Sequence, residues 1–473
     1  MRASSSAAAM TVIGMLALWP TGVPAQDSPA QDRPSMVDGR PVQAVQGVWR
    51  SRGYGYLVKI DQNRPKLFHV AGRFCYADPR PEDDPESLFE FHRPMGRDTV
   101  AFSDGWTRIV FDRLPGLPPA CGNGGRWTPA RIAALTAATF ADLYPSFQEH
   151  GIDWRARTAA VERALSETMD DAALFDILRT MLAGIEDAHV ELRAEVAGER
   201  RSLEPGDGPT LGRLRKAEKG GGTSEEDWEA AYRQGILDTV LQGKGHEAAN
   251  DRVIWGRAGD IGYLNVLSMG RFSDDGNDGA ALEAALDQAV AAFQGARAVI
   301  VDVTKNHGGY DSHAHDIAAR FADRRRFAYT KVGYGARDVE PQPFYVEPSK
   351  RARYLGPVYL LTSDVTLSAA EIFSLYMRAL PNVIHVGENT RGAFSDVIEK
   401  PLPNGWKLNL SAEIYRDPRG QSHEVHGLPP YVKREIFPPG NLVGGHARAV
   451  LALMDDIRRD DRTLKVQNNT PKQ

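Results

Sequence analysis

Residues Thr366 to Ala379 read TLSAAEIFSLYMRA, and this stretch decides how the chain around it folds. A hydrophobic run over residues 357–361 precedes it, which predicts a strand, a turn and then a helix that Ser368 opens. A serine at such a turn exposes its hydroxyl beside amides that the helix does not use, which suits a nucleophile. A helix cap is the commoner role of serine there. The apolar face of the predicted helix is formed by Ile372, Leu375, Tyr376 and Ala379.

The composition is that of a soluble globular protein. The chain has 473 residues, of which 25% are charged and 42% hydrophobic. This length predicts two or three domains. The formal net charge of −5 gives no basic surface of the kind that binds nucleic acid. No segment after the first 25 residues is apolar enough in sequence to cross a bilayer.

The first 25 residues have the pattern of a secretory signal peptide. Arg2 is the only charge before Asp27, an apolar stretch follows it, and small residues precede the expected cleavage site. An uncleaved anchor is the alternative, for which the apolar run is short. We therefore expect a periplasmic or secreted protein. In that oxidising compartment Cys75 and Cys121 can form a disulfide, and two free buried thiols are the alternative.

Changes in periodicity divide the rest of the chain. Short alternating segments predict strands early in the chain, and a period near 3.6 begins at Thr128, where a cap residue is followed by proline. Later segments alternate strand and helix, which predicts an α/β layer architecture with parallel strands. The expected parts are a flexible lead (26–42), a small all-β module (43–125), a helical subdomain (126–195), an insertion or linker (196–250), an α/β domain (251–440) and a C-terminal helix with its tail (441–473).

Five short blocks follow one another in the second half of the chain. They are Ala298–Val303 with Asn306–Gly309, Val358–Glu371, Val386–Gly392, Leu402–Gly405 and Glu424–Pro429. Their order resembles the C-terminal processing peptidase and tricorn-core superfamily of serine peptidases. The resemblance covers about residues 128–438 and leaves the β module unexplained. It implies an α/β catalytic domain of the Clp protease–crotonase type that acts on peptides or unfolded proteins without a cofactor.

The superfamily activates its serine in one of two ways. Processing peptidases use a lysine 25 positions after the serine, but this chain has Ala393 at that position and Lys400 out of register. The tricorn-like branch uses a histidine at the end of a helix, a placement that His189 matches. The resemblance therefore implies that Ser368 is the nucleophile, His189 the general base and Glu424 the carboxylate that orients the base.

These residue types suit acyl transfer. A serine hydroxyl needs a base within hydrogen-bond reach, histidine has a suitable pKa, and a carboxylate fixes the histidine tautomer. The amides of Ala369 and of Gly308 or Gly309 would hold the oxyanion. In the tricorn-like branch a serine links the histidine to the glutamate, but this chain has Ala188 there. The glutamate must then reach the histidine directly or through water, or its role is structural.

Other interpretations stay open at this point. A related module with the same fold occurs in interphotoreceptor retinoid-binding protein. The alanines at positions 188 and 393 give some weight to the alternative of a catalytically weak module that binds a hydrophobic ligand or a peptide. A zinc site could combine His307, His423 and His426, although no cysteine or dense carboxylate set accompanies them. We expect no metal. Ser363 is a rival nucleophile that precedes the turn and does not open the helix.

Overall fold

A computed structural model describes residues 32–62, 64–80, 88–122, 125–166, 168–204 and 206–459. The predicted signal peptide and the tail after residue 459 lie outside these residues. No helix within the described ranges has both the length and the apolar character needed to span a bilayer.

The N-terminal module is an eight-stranded sheet in which all neighbours are antiparallel, in the order β1-β8-β9-β10-β4-β5-β6-β7. The described part of the expected flexible lead contains short strands: β1 pairs with β8 at one edge of this sheet, and β2 pairs with β3. Composition does not reveal these pairings. Cys75 and Cys121 form a disulfide that joins β7 to the helix after the sheet. The strands are β1 (Arg33–Pro34), β2 (Met36–Val37), β3 (Arg40–Pro41), β4 (Gly47–Ser51), β5 (Tyr56–Ile60), β6 (Lys66–Ala71), β7 (Phe74–Ala77), β8 (Phe91–Pro94), β9 (Thr99–Ser103) and β10 (Arg108–Leu114).

A group of helices follows and packs on this module. Thr128 accepts a hydrogen bond from the Arg131 amide and Pro129 opens the helix, as the sequence predicts. Buried side chains of the helices, such as Leu135 and Leu178, share one core with Phe102 of the module. The helices are α1 (Pro119–Gly122), α2 (Pro129–Leu143), α3 (Trp154–Ala164) and α4 (Asp171–Leu182).

The segment over 196–250, expected to be an insertion or a linker, is folded onto the α/β domain in its described part. Trp228, Tyr232, Ile236 and Val240 recur every fourth residue, and this stripe is buried in a core with strands of the central sheet. The polar and glycine residues that suggest a linker lie between these positions. The elements around it are β11 (Glu191–Val196), β12 (Glu199–Leu203), α5 (Gly208–Lys219), α6 (Glu225–Gln234) with a π-helical continuation (Gly235–Val240), and β13 (His246–Ala248).

The α/β domain is built on a seven-stranded sheet in the order β13-β14-β15-β16-β19-β20-β24, parallel from β15 onward. Its elements are β14 (Val253–Ala258), β15 (Ile261–Val266), α7 (Asp278–Phe293), β16 (Ala298–Asp302), α8 (Asp311–Ala319), β17 (Arg326–Gly333), β18 (Gln342–Val346), β19 (Val358–Thr362), α9 (Ala369–Arg378), β20 (Val383–Gly387), β21 (Val397–Glu399), β22 (Lys407–Ser411), β23 (Glu413–Arg416), β24 (Val432–Lys433) and α10 (Gly445–Arg458).

Both faces of this sheet are covered by helices. Successive residues of a strand point to opposite faces. In β16, Val299 and Val301 therefore pack in the core that contains α7, α8 and α9, whereas Ala298 and Ile300 pack with α6 and α10. This two-sided burial explains why the strand is apolar throughout. The chain also forms two smaller sheets, with the strand orders β12-β11-β22-β21 and β18-β17-β23.

Candidate active site

Ser368 lies between β19 and α9, beyond the carboxyl end of a central parallel strand. Its backbone has φ 60° and ψ −128°, which is rare for a residue other than glycine. An ordinary N-cap residue has an extended backbone, so capping alone does not account for this conformation. Strained residues of this kind concentrate at functional sites. The side chain is only partly buried, so a substrate can reach it.

Glu371 holds this turn from within the protein. Its carboxylate accepts hydrogen bonds from the amides of Ser368 (3.2 Å), Gly392 (2.7 Å) and Ala393 (2.8 Å). Burial raises the pKa of Glu371 to about 7, against the lowering effect of these donors and of the Thr390 hydroxyl. Ser-x-x-Glu at a helix start is the sequence signal of a capping box, and this signal could have identified Glu371 before the structure.

The loop after β16 approaches Ser368 closely. A Cβ on Gly308 would lie 2.6 Å from Ser368 Cβ and 2.9 Å from the Ala369 nitrogen, so only glycine fits there. The Gly308 amide donates to Asn306 Oδ1 (2.8 Å) and is therefore occupied. Among the described residues, the amides of Gly309 and Ala369 have no hydrogen-bond partner. Of the three predicted oxyanion donors, these two are free to bind a ligand.

His189 lies in the turn between α4 and β11. Its amide donates to Asp187 Oδ1 (2.8 Å), and Asp187 Oδ2 accepts from the Tyr144 hydroxyl (3.0 Å). The aspartate thus fixes the main chain of the histidine. Burial lowers the pKa of His189, although the carboxylates of Asp187 and Asp396 act in the opposite direction. The imidazole is therefore held in its neutral form, which a general base requires.

A bridging segment, residues 392–396, connects these groups. The Ala393 amide binds Glu371, the Phe394 amide donates to Glu424 Oε2 (3.1 Å), and the Ser395 backbone interacts with His189. Burial raises the pKa of Glu424 well above its ordinary value, and the charges of Asp187 and Glu371 add to this shift. Serine, histidine and glutamate thus share one polar network.

No direct hydrogen bond joins the three predicted residues in the described part of the chain. His189 Nδ1 and Glu424 Oε1 are both buried there without a partner. The Ser368 hydroxyl makes no hydrogen bond to His189. Catalytic hydrogen bonds are often long or unformed before substrate binds. Two unpaired buried polar atoms in one network are unusual, because each costs about 1–3 kcal/mol.

Arg391 joins the helical part of the chain to the serine loop. Its amide donates to the Thr366 carbonyl (2.8 Å). Its guanidinium donates to the carbonyls of Gly206 (2.6 Å) and Glu186 (3.2 Å). It therefore fixes the segment that carries His189 against the segment that carries Ser368. Nothing in the spacing of the sequence identifies this role, since the partners are backbone carbonyls far away in the chain.

A cavity of about 180 Å³ opens between the neighbours of the two predicted catalytic residues, Ala188 and Leu367. Apolar side chains, among them Leu211 and Val365, alternate in its wall with charged ones. The charged and titratable lining residues are Glu204, Asp207, Arg215, Glu225, His307, Asp364 and Arg391.

The structure places the rival residues in other roles. Lys400 Nζ donates to the Tyr54 carbonyl (2.7 Å), in the contact with the β module. Ser363 is fully buried, and its hydroxyl donates to the Thr304 carbonyl (2.6 Å). His423 pairs with an aspartate (3.1 Å), and no cluster of three metal-binding side chains occurs among the described residues.

Comparison with known sequences finds a family match in the central part of the chain. Residues 260–434 match Peptidase family S41. Over 144 residues, the chain is 26% identical to the carboxy-terminal processing protease CtpA of Bacillus subtilis (strain 168). That alignment spans 30% of this chain and 30% of the relative.

Solved structures share the fold. A predicted peptidase of Parabacteroides merdae ATCC 43184 is 27% identical and has a TM-score of 0.56, over 70% of this chain and 97% of that chain. Mature CPAF has a TM-score of 0.51, over 71% of this chain and 98% of that chain. At 14% identity, this second likeness shows the fold alone.

Proposed function

Because residues 260–434 match Peptidase family S41, a family of serine-type peptidases, we propose that the protein hydrolyses peptide bonds through an acyl-enzyme on Ser368. The observation that carries this proposal is the strained turn at Ser368, with φ 60°. The turn presents a partly exposed hydroxyl beside two unused amides, those of Gly309 and Ala369. Ser368 also forms a capping box with Glu371, but a cap residue ordinarily has an extended backbone and does not require this conformation.

In the proposed reaction, His189 takes the proton from the Ser368 hydroxyl as the oxygen attacks the scissile carbonyl. The Gly309 and Ala369 amides stabilise the negative charge on the carbonyl oxygen of the tetrahedral intermediate. The imidazolium then protonates the leaving amine, and the acyl-enzyme forms. A water molecule, deprotonated by the same imidazole, releases the acyl group and restores the hydroxyl.

We propose that the Glu424 carboxyl group orients the general base, His189. With Ala188 in place of a linking hydroxyl, a water molecule or a side-chain rotation would join Glu424 Oε1 to His189 Nδ1, and this contact would satisfy both unpaired atoms. The raised pKa of Glu424 means that the carboxyl binds a proton readily. Its contribution to stabilising imidazolium is then smaller than that of a fully ionised carboxylate.

We further propose that the protein is exported and acts on peptides or unfolded proteins. The signal-like start of the sequence and the disulfide between Cys75 and Cys121 both support an oxidising compartment. The cavity beside Ala188 and Leu367, of about 180 Å³, is large enough to receive one side chain of an extended peptide, which is compatible with a peptide substrate.

Reaction with a fluorophosphonate tests the catalytic assignment. We expect covalent labelling of the full chain at Ser368, loss of labelling in Ser368→Ala, and a loss of at least about a hundredfold in His189→Ala. His426→Ala is the matched control, because this histidine is exposed and lies near Glu424 in sequence. Labelling should persist in that variant. Undiminished labelling of the Ser368→Ala variant would contradict the assignment. If this variant still hydrolysed unfolded casein, another residue would have to be the nucleophile.

A further inference from the structure

The N-terminal β module reaches into the α/β domain through its loop 52–55. Tyr54 in this loop is buried, and its hydroxyl donates a hydrogen bond of 2.6 Å to Glu413 Oε1. The tyrosine ring lies so close to Gly333 that a Cβ there would be 2.5 Å from it. Lys400 secures the contact by donating to the Tyr54 carbonyl. The module is thus inserted at a defined point of the catalytic domain.

Glu413 and Lys331 are buried, and they form a cluster of charges with Asp396, whose side chain is partly exposed. Glu413 Oε2 accepts from the Asp396 amide (3.3 Å) and the Tyr415 hydroxyl (3.3 Å), and lies 3.8 Å from Lys331 Nζ. Lys331 Nζ is closer to Asp396 Oδ2, at 2.6 Å. The Lys331 ammonium group is therefore shared by two carboxylates, and it lies closer to Asp396 than to Glu413. Burial raises the pKa of Asp311, a third carboxyl that faces the cluster from α8, well above its ordinary value.

Asp396 is the last residue of the bridging segment, so this cluster adjoins the proposed base. Ser395 Oγ fixes the segment by accepting from the Glu413 amide (3.0 Å). The Asp396 carboxylate and the Ser395 backbone both act on His189, where they oppose the lowering of its pKa by burial. A change in how Asp396 is neutralised therefore changes the charge that the imidazole experiences.

We propose that the β module is part of the active site, and that Tyr54 is a positioning residue that keeps Lys331 on Asp396. The proposal rests on the proposed function of His189. A hydrogen bond from the Tyr54 hydroxyl stabilises negative charge on Glu413, which then attracts the ammonium less strongly. Without the hydrogen bond from Tyr54, the Lys331 ammonium moves toward Glu413. The Asp396 carboxylate then acts on the His189 imidazole without the ammonium that neutralises it.

The expected change at His189 has a definite sign. The ring is faced by Asp187 from its own turn, by Asp396 from the bridging segment and by Arg391 from the loop before that segment. Tyr54→Phe alters only the contribution of Asp396. A less neutralised carboxylate favours imidazolium, so the pKa of His189 should rise in this variant. The acid limb of the reaction should then move to higher pH.

The test is the pH dependence of fluorophosphonate labelling in the full chain. We expect Tyr54→Phe to label about tenfold more slowly near neutral pH, the effect of one hydrogen bond to a charged group, with its acid limb at higher pH. Tyr76→Phe is the matched control, because Tyr76 is a buried tyrosine of the same module whose ring packs on Trp127. The pH profile of this variant should match that of the wild type. Glu413→Gln removes the competing charge, so its acid limb should move to lower pH.

Two results would overturn the proposal. The first is a pH profile of Tyr54→Phe that coincides with that of the wild type. The second is slower labelling of Tyr54→Phe with an unmoved acid limb, because the loss of a tyrosine with a purely structural role would give that result. Should Tyr54→Phe fail to fold, an unmoved limb in Glu413→Gln would be decisive against it. An NMR titration of the His189 ring measures the same shift without turnover. Absent labelling of the wild type would refute the proposed function, while an unshifted ring titration would refute this inference.

Discussion

Replacement of Glu371 by glutamine should stabilise the protein at alkaline pH and yet slow its chemistry. Burial raises the pKa of Glu371 from 4.5 to about 7. The folded state therefore binds the proton more tightly than the unfolded state does, and the ionisation of Glu371 costs stability as pH rises between these values. A shift of this size corresponds to about 3 kcal/mol, absent below pH 4.5 and fully developed above about pH 7.

Glutamine resembles the protonated acid in shape and in hydrogen-bonding groups. At pH 5 the wild type and Glu371→Gln should therefore have similar free energies of unfolding. At pH 8 the variant escapes the cost of ionisation and should be more stable by about 3 kcal/mol. Its single carbonyl oxygen can no longer hold all three amides, those of Ser368, Gly392 and Ala393, so fluorophosphonate labelling at pH 8 should be at least about tenfold slower.

Urea unfolding at several pH values, followed by tryptophan fluorescence, measures the stability difference. Glu388→Gln is a matched control, because burial raises the pKa of Glu388 to about 7 as well. That side chain is less deeply buried, so a smaller pH effect is expected, with unchanged labelling. A Glu371→Gln variant whose stability relative to the wild type does not change between pH 5 and 8 would refute the reasoning.

Three further predictions concern the base, the glycine loop and the disulfide. Because burial lowers the pKa of His189, the acid limb of wild-type labelling should lie below pH 6.5, and a midpoint above that value would count against His189 as the base. Gly308→Ala should abolish labelling while circular dichroism shows a folded protein, since its Cβ would lie 2.6 Å from Ser368 Cβ; full activity would disprove this close approach. Cys75→Ser with Cys121→Ser should cost about 4 kcal/mol in urea unfolding, from the entropy of a loop with a sequence separation of 46; an unchanged midpoint would show that the link adds no stability.

Hydrophobic periodicity, together with the residues that begin or end helices and strands, predicted most elements of the α/β domain, because these local patterns reflect burial directly. The alternation of strand and helix after Ile261, the cap at Thr128 and the helix after Ser368 all occur where the sequence indicates them. The packing of residues 196–250, expected to be an insertion or a linker, could not be predicted, for the opposite reason. The buried stripe of this segment, Trp228 to Val240, is diluted by polar residues, and only the sheet beneath it shows that the stripe is covered.

The candidate site divides in the same way. The sequence by itself offered the candidate groups, because a serine at a strand-to-helix turn, a glycine pair after a strand and a histidine between a helix and a strand are local features. The role of His189 followed only from the family resemblance. Only the tertiary structure decided which amides are free, that Glu371 and Arg391 hold the loops, and that Tyr54 of the β module reaches Glu413. These contacts join residues far apart in the chain, and many of their partners are backbone groups, which every residue carries and no sequence pattern distinguishes.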